Sequence, residues 1–316
     1  RSVWEMFGAG DDFMFYSNTA PGTHNYDVDN RNQLYKFINK YFGMDVPMGD
    51  LHGPDEIFTE FDLDVGLPTT QKTLLEIARQ RARELVAVLK VPKTQAQKTA
   101  LRKKVADRIR LVNFPTYKAT AQGKRDGAEL FAVKTGAWSF PAATVKVSSE
   151  KRGEMYFSAN ADADAMYLAT QARGICTVAD VFGIGRMAGN TGYQMMMKAA
   201  GQFDLGLAVG QMLAAVRFGK KQAGVRKLHI TGFGWLATTM MTFAAALEPQ
   251  HFASISMNAN FNSFQHMCDQ CLNHYEIQAL LCPELLTFID VPQLYALADG
   301  VEIHQPGRAA PVVIGG

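Results

Sequence analysis

Residues 226–249 read RKLHITGFGWLATTMMTFAAALEP, and this stretch decides the fold. Leu228–Thr231 is a short apolar run typical of a buried strand, and the apolar residues after Trp235 continue for long enough to form a buried helix. Small residues, among them Gly232 and Gly234, separate the two. A strand that passes directly into a helix is the repeating unit of an α/β sheet.

The same alternation continues on both sides of this unit. Other strand-like runs are Leu130–Lys134, Ala143–Val147, Met155–Ser158, Ile175–Val178, Ala253–Met257 and Val312–Ile314. Helical patterns lie at 161–172, 192–217, 235–247 and 274–286. Antiparallel-looking strands followed by alternating strands and helices predict an α/β fold, with a mostly parallel sheet, helices on both faces and a few extra leading strands.

The junction after Thr231 has the form of a nucleophile elbow. In this motif, usually G-x-S-x-G, a sharp turn places the nucleophile at a helix N-terminus beside backbone N–H groups, and small residues must flank it. Here the motif reads Gly232-Phe233-Gly234-Trp235-Leu236, so Gly234 occupies the nucleophile position. Because glycine has no side chain, we interpret Gly232, Gly234 and Trp235 as a degenerate elbow.

A histidine near the start of the chain is the second candidate for catalysis. A predicted strand, Phe13–Ser17, is followed by a Pro-Gly turn that contains His24 and then by a helix. An apolar stripe suited to packing on a sheet runs along this helix, at Leu34, Phe37, Ile38 and Tyr41. The predicted caps are Asp29 or Asn30 at its start and Gly43 at its end.

Taken together, these segments resemble the α/β-hydrolases of the acetyl xylan esterase-like carbohydrate esterase kind. The matching stretches are Asp180–Met187 (DVFGIGRM), Tyr193–Phe218, Ile230–Pro249, Phe288–Ala298 and Gly22–Gly43. The resemblance implies hydrolysis of esters on acetylated polysaccharides, with a polysaccharide or a small ester as substrate and no cofactor. It also implies a bacterial protein that is secreted or periplasmic. By the same resemblance, His24 is the general base that takes the proton of a Ser hydroxyl.

The order of the matching segments differs from that of a single domain, because the part with the histidine comes first. We therefore predict three parts: residues 1–44 as the C-terminal end of one hydrolase unit, 45–112 as a linker and helical hairpin, and 113–316 as the N-terminal and central part of a second, degenerate unit. The hairpin helices are predicted at 69–90, capped by Thr69 or Thr70, and at 93–112. Two explanations stay open, a slice of a tandem protein and a circular permutation. The expected partners include missing parts of the same protein or copies of itself.

Three classes of function remain after this reasoning. The first is a carbohydrate-esterase-like protein that uses a Ser outside its own elbow, since loss of the hydroxyl at Gly234 removes the covalent route. The second is a non-catalytic pseudo-hydrolase that acts as a structural, assembly or glycan-binding module. The third is a lyase or other cofactor-free enzyme. The triad acid is not placed, and Asp11 and Asp12 are interpreted as turn residues.

The cysteines and remaining histidines are interpreted as structural. Helical packing is the favoured interpretation of Cys268, Cys271 and His274. A metal site, with His266 as an alternative ligand, is a weak candidate because C-x-x-C pairs are common zinc ligands, and a redox pair is the third interpretation. Cys282 lies in an apolar run and is predicted to be a core residue. His229 is predicted to be a core histidine, His251 a surface residue, and Met195, Met196 and Met197 adaptable core packing.

Composition and charge exclude other classes. Hydrophobic residues make up 47% of the 316 residues, which is typical of a globular protein with a sizeable core. The formal net charge of +2 does not indicate a nucleic-acid partner, and no run of eighteen apolar residues predicts a membrane span. Basic residues cluster between Lys90 and Arg110, where a solvated helix face is favoured over a binding patch. The Gly-rich GIGRMAG stretch is a weak match to a dinucleotide site.

Overall fold

The computed structural model describes residues 1–19, 22–49, 58–66, 68, 70–159, 172–188, 191–269, 278–305 and 312–313. The chain divides into two compact units, Arg1–Gln71 and Lys72–Gly316. Each unit is described by itself below.

The first unit is helical in the described residues. It contains α1 (Ser2–Met6), α2 (Val28–Phe42) and α3 (Glu60–Leu63). As predicted, α2 ends at Gly43, whose φ of 63° is the left-handed conformation that glycine adopts without strain. The N-cap is Asp27, so the prediction of Asp29 or Asn30 was wrong. No residue of α2 is buried, although its apolar stripe was predicted to lie on a sheet.

The strand predicted at Phe13–Ser17 is not formed. Among the described residues no strand pairs with this segment, and a strand needs a partner for its backbone hydrogen bonds. Side chains hold the segment instead: the Phe13 ring lies 5.6 Å from the ring of Trp4, and the Tyr16 hydroxyl donates a hydrogen bond to Asp29. Phe13 and Tyr16 therefore make local contacts, whereas Phe15 is exposed.

The second unit opens with the predicted helical hairpin, α4 (Leu74–Val88) and α5 (Gln95–Arg108). Each helix begins with a capping box, formed by Thr73 with Glu76 and by Thr94 with Gln97. Thr73 is thus the cap of the first helix rather than Thr69 or Thr70. Residue 69 lies outside the described residues, whereas Thr70 precedes the helix.

A nine-stranded sheet forms the centre of this unit, in the order β1-β2-β3-β5-β4-β6-β7-β8-β9. The strands β5, β4, β6, β7 and β8 are parallel neighbours, and β1–β3 and β9 join antiparallel at the two sides. The bounds are β1 Lys118–Arg125, β2 Ala128–Thr135, β3 Trp138–Lys146, β4 Gly153–Ser158, β5 Ile175–Ala179, β6 Leu228–Phe233, β7 Phe252–Met257, β8 Glu302–His304 and β9 Val312–Val313. Every predicted strand in this unit is present, whereas β1 and β8 were not predicted.

Two helices, α7 (Asp204–Ala223) and α8 (Gly234–Leu247), pack on one face of the sheet, and α6 (Thr191–Ala199) contacts α7. Side chains such as Met155, Phe157 and Ile230 face α7 and α8 in one continuous core. The segment predicted as one helix at 192–217 forms two helices. Gly201, between them, has a φ of 82° and interrupts the helical backbone hydrogen bonds. The helix predicted at 161–172 lies outside the described residues except for Ala172, which is not helical.

The helix predicted at 274–286 is also wrong where the structure describes it. Residues 278–286 form two short 3₁₀ turns, Gln278–Leu280 and Leu285–Thr287. Pro283 lies between them and has no N–H to donate, and Glu284 has a φ of 60°. Two further α-helices in the described ranges are α9 (His266–Asp269) and α10 (Val291–Leu297).

The helical hairpin packs on the sheet domain rather than extending as a free linker. The carbonyls of Ile109 and Val112 would lie 2.1 and 2.0 Å from a Cβ at Gly206 and Gly210, so only glycine lets the chain pass this close to α7. Arg102 donates hydrogen bonds to the carbonyls of Ala246 and Leu297 at 2.9 and 2.5 Å.

The hydropathy of the helices in the described ranges was compared with that of membrane-spanning helices. None of these helices is both long and apolar enough to cross a membrane alone, and only the pair Gln278–Thr287 and Val291–Leu297, bent by 90°, passes a test of length and composition.

Candidate functional site

The candidate site lies where the parallel strands end. Ala159 follows β4, Asp180 follows β5, Gly234 follows β6 and Asn258 follows β7. The carboxyl ends of parallel strands share one edge of the sheet, and in open α/β sheets this edge carries the ligand sites. The strand–helix junction at Gly234 therefore lies at the edge of the sheet where such sites occur.

The elbow is a direct passage from strand to helix. Phe233 is still extended, with φ of −119° and ψ of 127°, and Gly234 has a φ of 80°. A Cβ at Gly234 would lie 2.8 Å from Cβ of Ala159, closer than two non-bonded carbon atoms normally approach each other. Both the backbone angle and the space around it thus favour glycine at this position.

Gly232 is favoured for a different reason, the close packing of α8. A Cβ there would lie 3.1 Å from Cε of Met241 and 3.2 Å from Cγ2 of Thr238, both on α8. The helix therefore packs closely against the end of β6. This is the role of the small residue that precedes the central position in G-x-S-x-G.

Asn258 secures the elbow from the neighbouring strand. The Gly234 N–H donates to Oδ1 of Asn258 at 2.8 Å, and the Asn258 N–H donates to the carbonyl of Gly232 at 3.3 Å. Within the helix, the Thr238 hydroxyl donates to the Gly234 carbonyl at 3.0 Å. The sequence analysis did not identify Asn258, although a polar residue directly after a predicted strand was the available signal.

Ala159 holds the elbow on the opposite side. Its N–H donates to the carbonyl of Phe233 at 2.9 Å, and its carbonyl accepts from the N–H of Gly185 at 3.3 Å. The methyl group of Ala159 stands where a side chain at Gly234 would begin. This residue was also missed by the sequence analysis.

Asp180, in the DVFGIGRM stretch, forms an ion pair with Arg186. Nε of Arg186 lies 3.2 Å from Oδ2 of Asp180, and a Cβ at Gly185 would lie 2.2 Å from Oδ1, so glycine is required between them. The two residues border a cleft of about 490 Å³. Its other lining residues come from β1, β2, β3 and β5 and from Met187. Asp180 orders its own loop through this pair.

An aromatic surface adjoins the elbow. The Trp235 side chain is 37% exposed, and its ring centroid lies 4.5 Å from that of Phe261. Phe261 also lines a cavity of about 10 Å³, together with residues that include Thr238, Asn260 and Tyr295. This volume holds at most one water molecule, so a larger ligand can bind only at the outer surface.

His24 lies in the first unit and is exposed. Within the described part of the chain it forms no hydrogen bond or ion pair. Its neighbour Asn25 instead organises the start of α2, accepting at Oδ1 from the N–H of Asp27 at 3.0 Å and from Nδ2 of Asn30 at 3.0 Å. Asp11 and Asp12 lie in a 3₁₀ turn, Gly10–Asp12, as interpreted from the sequence.

A different Ser–His pair exists on the sheet. Nδ1 of His229 on β6 lies 2.8 Å from Oγ of Ser254 on β7. Burial, and secondarily the charge of Arg152, lowers the pKa of His229. Both residues lie within paired strands. The backbone N–H groups there form hydrogen bonds between strands and are not available to bind an oxyanion. This pair is suited to structure rather than acyl transfer.

His251 was predicted to lie at the surface, and this was wrong. Its ring is half-buried, with Nδ1 at 2.7 Å from Nζ of Lys220 and Nε2 at 3.1 Å from Oε2 of Glu248. Arg217 binds the same carboxylate oxygen at 2.9 Å. Burial, followed by the charge of Lys220, lowers the pKa of His251.

The cysteines form no metal centre in the described ranges. There, no group of three or more His, Cys, Asp or Glu side chains could hold a metal ion. Cys268 is partly buried in α9, whereas Cys271 and His274 lie outside the described residues. Cys282 is buried, and burial raises the pKa of its thiol to about 11, as expected for a core residue. Of the methionines, Met197 is buried, whereas Met195 and Met196 are exposed, so the prediction of core packing was wrong for these two.

Comparison with known proteins supports the fold. No protein-family model and no curated protein matches the chain. Among solved structures, one from Bacteroides fragilis NCTC 9343, assigned as an acetyl xylan esterase, matches with a TM-score of 0.53 at 12% identity over 76% of this chain and 77% of that one. Acetyl xylan esterase 1 from Thermoanaerobacterium sp. matches with a TM-score of 0.45 at 16% identity, covering 71% and 81%. An acetyl xylan esterase from Paenibacillus sp. R4 matches with a TM-score of 0.43 at 10% identity, covering 71% and 82%. The chain has an α/β-hydrolase-type fold, which confirms the predicted fold class.

Proposed function

We propose that this chain is a carbohydrate-esterase-like α/β-hydrolase protein whose own elbow does not catalyse, so that it acts as a pseudo-hydrolase. The observation that carries the proposal is Gly234, which stands at the strand–helix junction with a φ of 80° and with Cβ of Ala159 in the space of a side chain. A nucleophile at this point would need both a side chain and room for it.

The chemistry of ester hydrolysis supports the same conclusion. A serine esterase requires a hydroxyl that attacks the carbonyl, a base that takes its proton, and N–H donors for the oxyanion. At the elbow the hydroxyl is missing and the Gly234 N–H is bound to Asn258. What remains in enzymes that lose the nucleophile is a small residual rate from binding and the remaining donors.

A glycan-binding role is favoured by Trp235. Aromatic rings with one exposed face provide contact area at little entropic cost, and Trp235 is held in place by Phe261. Its position at the carboxyl edge of the sheet is where an α/β fold receives ligands. We propose that an acetylated polysaccharide, or its oligosaccharides, contacts this ring without being hydrolysed.

The catalytic part of the proposal is tested on the purified chain with p-nitrophenyl acetate, acetylated xylan and a fluorophosphonate that labels activated serines. We expect no turnover above that of the denatured protein and no labelled residue. Serine labelling together with turnover would overturn the proposal. If His24→Ala abolished that turnover, His24 would act as a base with a hydroxyl outside the elbow, which is the second candidate function.

The binding part is tested by titrating acetylated xylo-oligosaccharides while tryptophan fluorescence is recorded. We expect a saturable change that Trp235→Phe abolishes. Trp4→Phe is the matched control, because Trp4 is 45% exposed and lies in the first unit. An unchanged fluorescence spectrum in the wild-type protein would exclude glycan binding at Trp235. The absence of catalysis would still be tested separately, by the turnover and serine-labelling experiment.

A further inference from the structure

An open groove lies between α5 and the segment that leads into it. The helix contributes Gln97, Ala100, Leu101 and Lys104, which share one helical face, and the leading segment contributes residues 90–93. Its volume of about 700 Å³ lies in the range that accommodates a drug-sized ligand or part of a peptide. Oε1 of Gln97 accepts from the N–H groups of Lys93 and Thr94, at 2.8 and 3.1 Å, so the two walls are joined.

The groove combines an apolar floor with a basic rim. Val91, Pro92, Ala100 and Leu101 supply the floor, and Val91 is 46% exposed. Lys90, Lys93 and Lys104 supply the rim, and within the described ranges none of these three lysines forms an ion pair. By contrast, Lys98 on the same helix is paired with Asp299 at 3.0 Å. Uncompensated positive charge around apolar surface indicates a partner that is both acidic and apolar.

The chain itself carries a segment with these properties. Around α3, the side chains of Phe58, Phe61, Leu63 and Val65 are 64%, 87%, 62% and 93% exposed. Glu60, Asp62 and Asp64 alternate with them in sequence. A capping box between Thr59 and Asp62 fixes the turn before binding. Binding therefore costs less conformational entropy than it would for a disordered segment. We call residues 58–66 the acidic segment.

We propose that the acidic segment of one copy of this chain binds the basic groove of a second copy. The exposed apolar side chains would cover the floor, and the carboxylates would face the lysines of the rim. This is recognition of a short amphipathic segment in a groove. Nucleic acid fits less well, because no aromatic side chain lines the groove for base stacking. The inference is independent of the function proposed above.

Such a contact joins two different surfaces and is therefore heterologous. It generates a closed ring if the rotation between copies closes and a growing chain if it does not. The full-length chain is expected to show concentration-dependent self-association in sedimentation velocity. Association should weaken between about 0.1 M and about 1 M salt, as the Debye length falls from about 10 to about 3 Å.

Charge reversal on each side separately tests the contact. We expect Lys93→Glu/Lys104→Glu and Glu60→Lys/Asp64→Lys each to weaken self-association about tenfold, because exposed pairs become repulsive. An equimolar mixture of the two variants should recover one wild-type contact and hence a heterodimer. Phe61→Ala should weaken association without any change of charge.

The matched control is Lys221→Glu/Lys227→Glu, which changes the net charge equally at exposed lysines outside the groove. Circular dichroism of every variant verifies folding. A wild-type protein that stays monomeric at all concentrations and both salt levels would overturn the proposal. It would also be overturned if the control weakened association as much as the groove variant, or if the mixture stayed monomeric.

Discussion

The N–H of Gly234 donates a hydrogen bond of 2.8 Å to Oδ1 of Asn258. This bond joins the first residue of α8 to the residue that follows β7. A helix N-terminus leaves its first N–H groups without intrahelical partners, and these groups otherwise attract anions. One of the donors at the elbow is therefore already occupied by the protein, which favours a structural use of this turn.

A side chain at Gly234 is expected to destabilise the protein. Gly234→Ser should lower the free energy of unfolding by about 1–2 kcal/mol for the positive φ, and by more because of the contact with Ala159. Gly300→Ser is the control for the φ contribution, since Gly300 has a φ of 70° and no neighbour near the added Cβ. Thermal unfolding measures both variants. Equal losses in the two would contradict the crowding at Ala159.

The double variant Ala159→Gly/Gly234→Ser distinguishes the effect of steric crowding at residue 234 from the effect of a missing catalytic base. We expect it to recover part of the stability that Gly234→Ser loses, because the methyl group that crowds the elbow is removed. Esterase activity on p-nitrophenyl acetate should remain absent, since a hydroxyl without a hydrogen-bonded base is a weak nucleophile. Activity in the double variant would show that a base stands ready at the elbow.

Removal of the acceptor at Asn258 tests the bond itself. Asn258→Ala should lower the free energy of unfolding by about 0.5–1.5 kcal/mol, the usual contribution of one hydrogen bond. Asn258→Asp keeps the acceptor and places a negative charge at a helix N-terminus, and should therefore equal or exceed the wild type. Urea unfolding compares the three proteins. The same loss in both variants would mean that the bond does not determine the effect.

Arg102 is expected to stabilise the packing of the hairpin. It donates to Ala246 and Leu297, near the C-termini of α8 and α10, where a cation also complements the helix dipoles. Arg102→Ala should cost about 2 kcal/mol, and Arg102→Lys should recover only part of this because lysine lacks the planar fork. Arg83→Ala, at an exposed position of α4, should be neutral. Denaturant unfolding would contradict the prediction if both alanine variants behaved alike.

His251 should make stability depend on pH. Because burial and Lys220 lower its pKa in the folded state, the unfolded chain binds more protons between that lowered pKa and the ordinary histidine pKa of about 6.5. The stability is fully present above pH 6.5 and is lost as the pH falls through the folded pKa.

Melting temperatures at several pH values check this. His251→Gln should show a smaller drop on acidification than the wild type, although Lys220, Glu248 and Arg217 remain and His229, whose pKa is also lowered, still contributes. His24→Gln removes an exposed histidine and should keep the wild-type drop. If both variants kept it, His251 would not be the group responsible.

Much of the fold was predictable because its signals are local. The apolar strand at Leu228 and the apolar helix after Gly234 predict a βα unit. That glycine occupies the nucleophile position follows from the sequence alone. The misses have physical reasons as well. β1 is an edge strand with mostly exposed residues and hence no alternation, and the aromatic run at Phe13–Ser17 lacked a partner strand.

The sequence by itself determined the α/β architecture, the glycine at the nucleophile position and the basic cluster between Lys90 and Arg110, because each depends on residues that are close together in the chain. Only the tertiary structure decided that Asn258, 24 residues away, accepts from Gly234, and that the methyl group of Ala159 stands beside it. It also decided that Lys220 and Glu248 hold His251 half-buried. Strand order and helix packing bring these groups together, and no local pattern records which distant strands become neighbours.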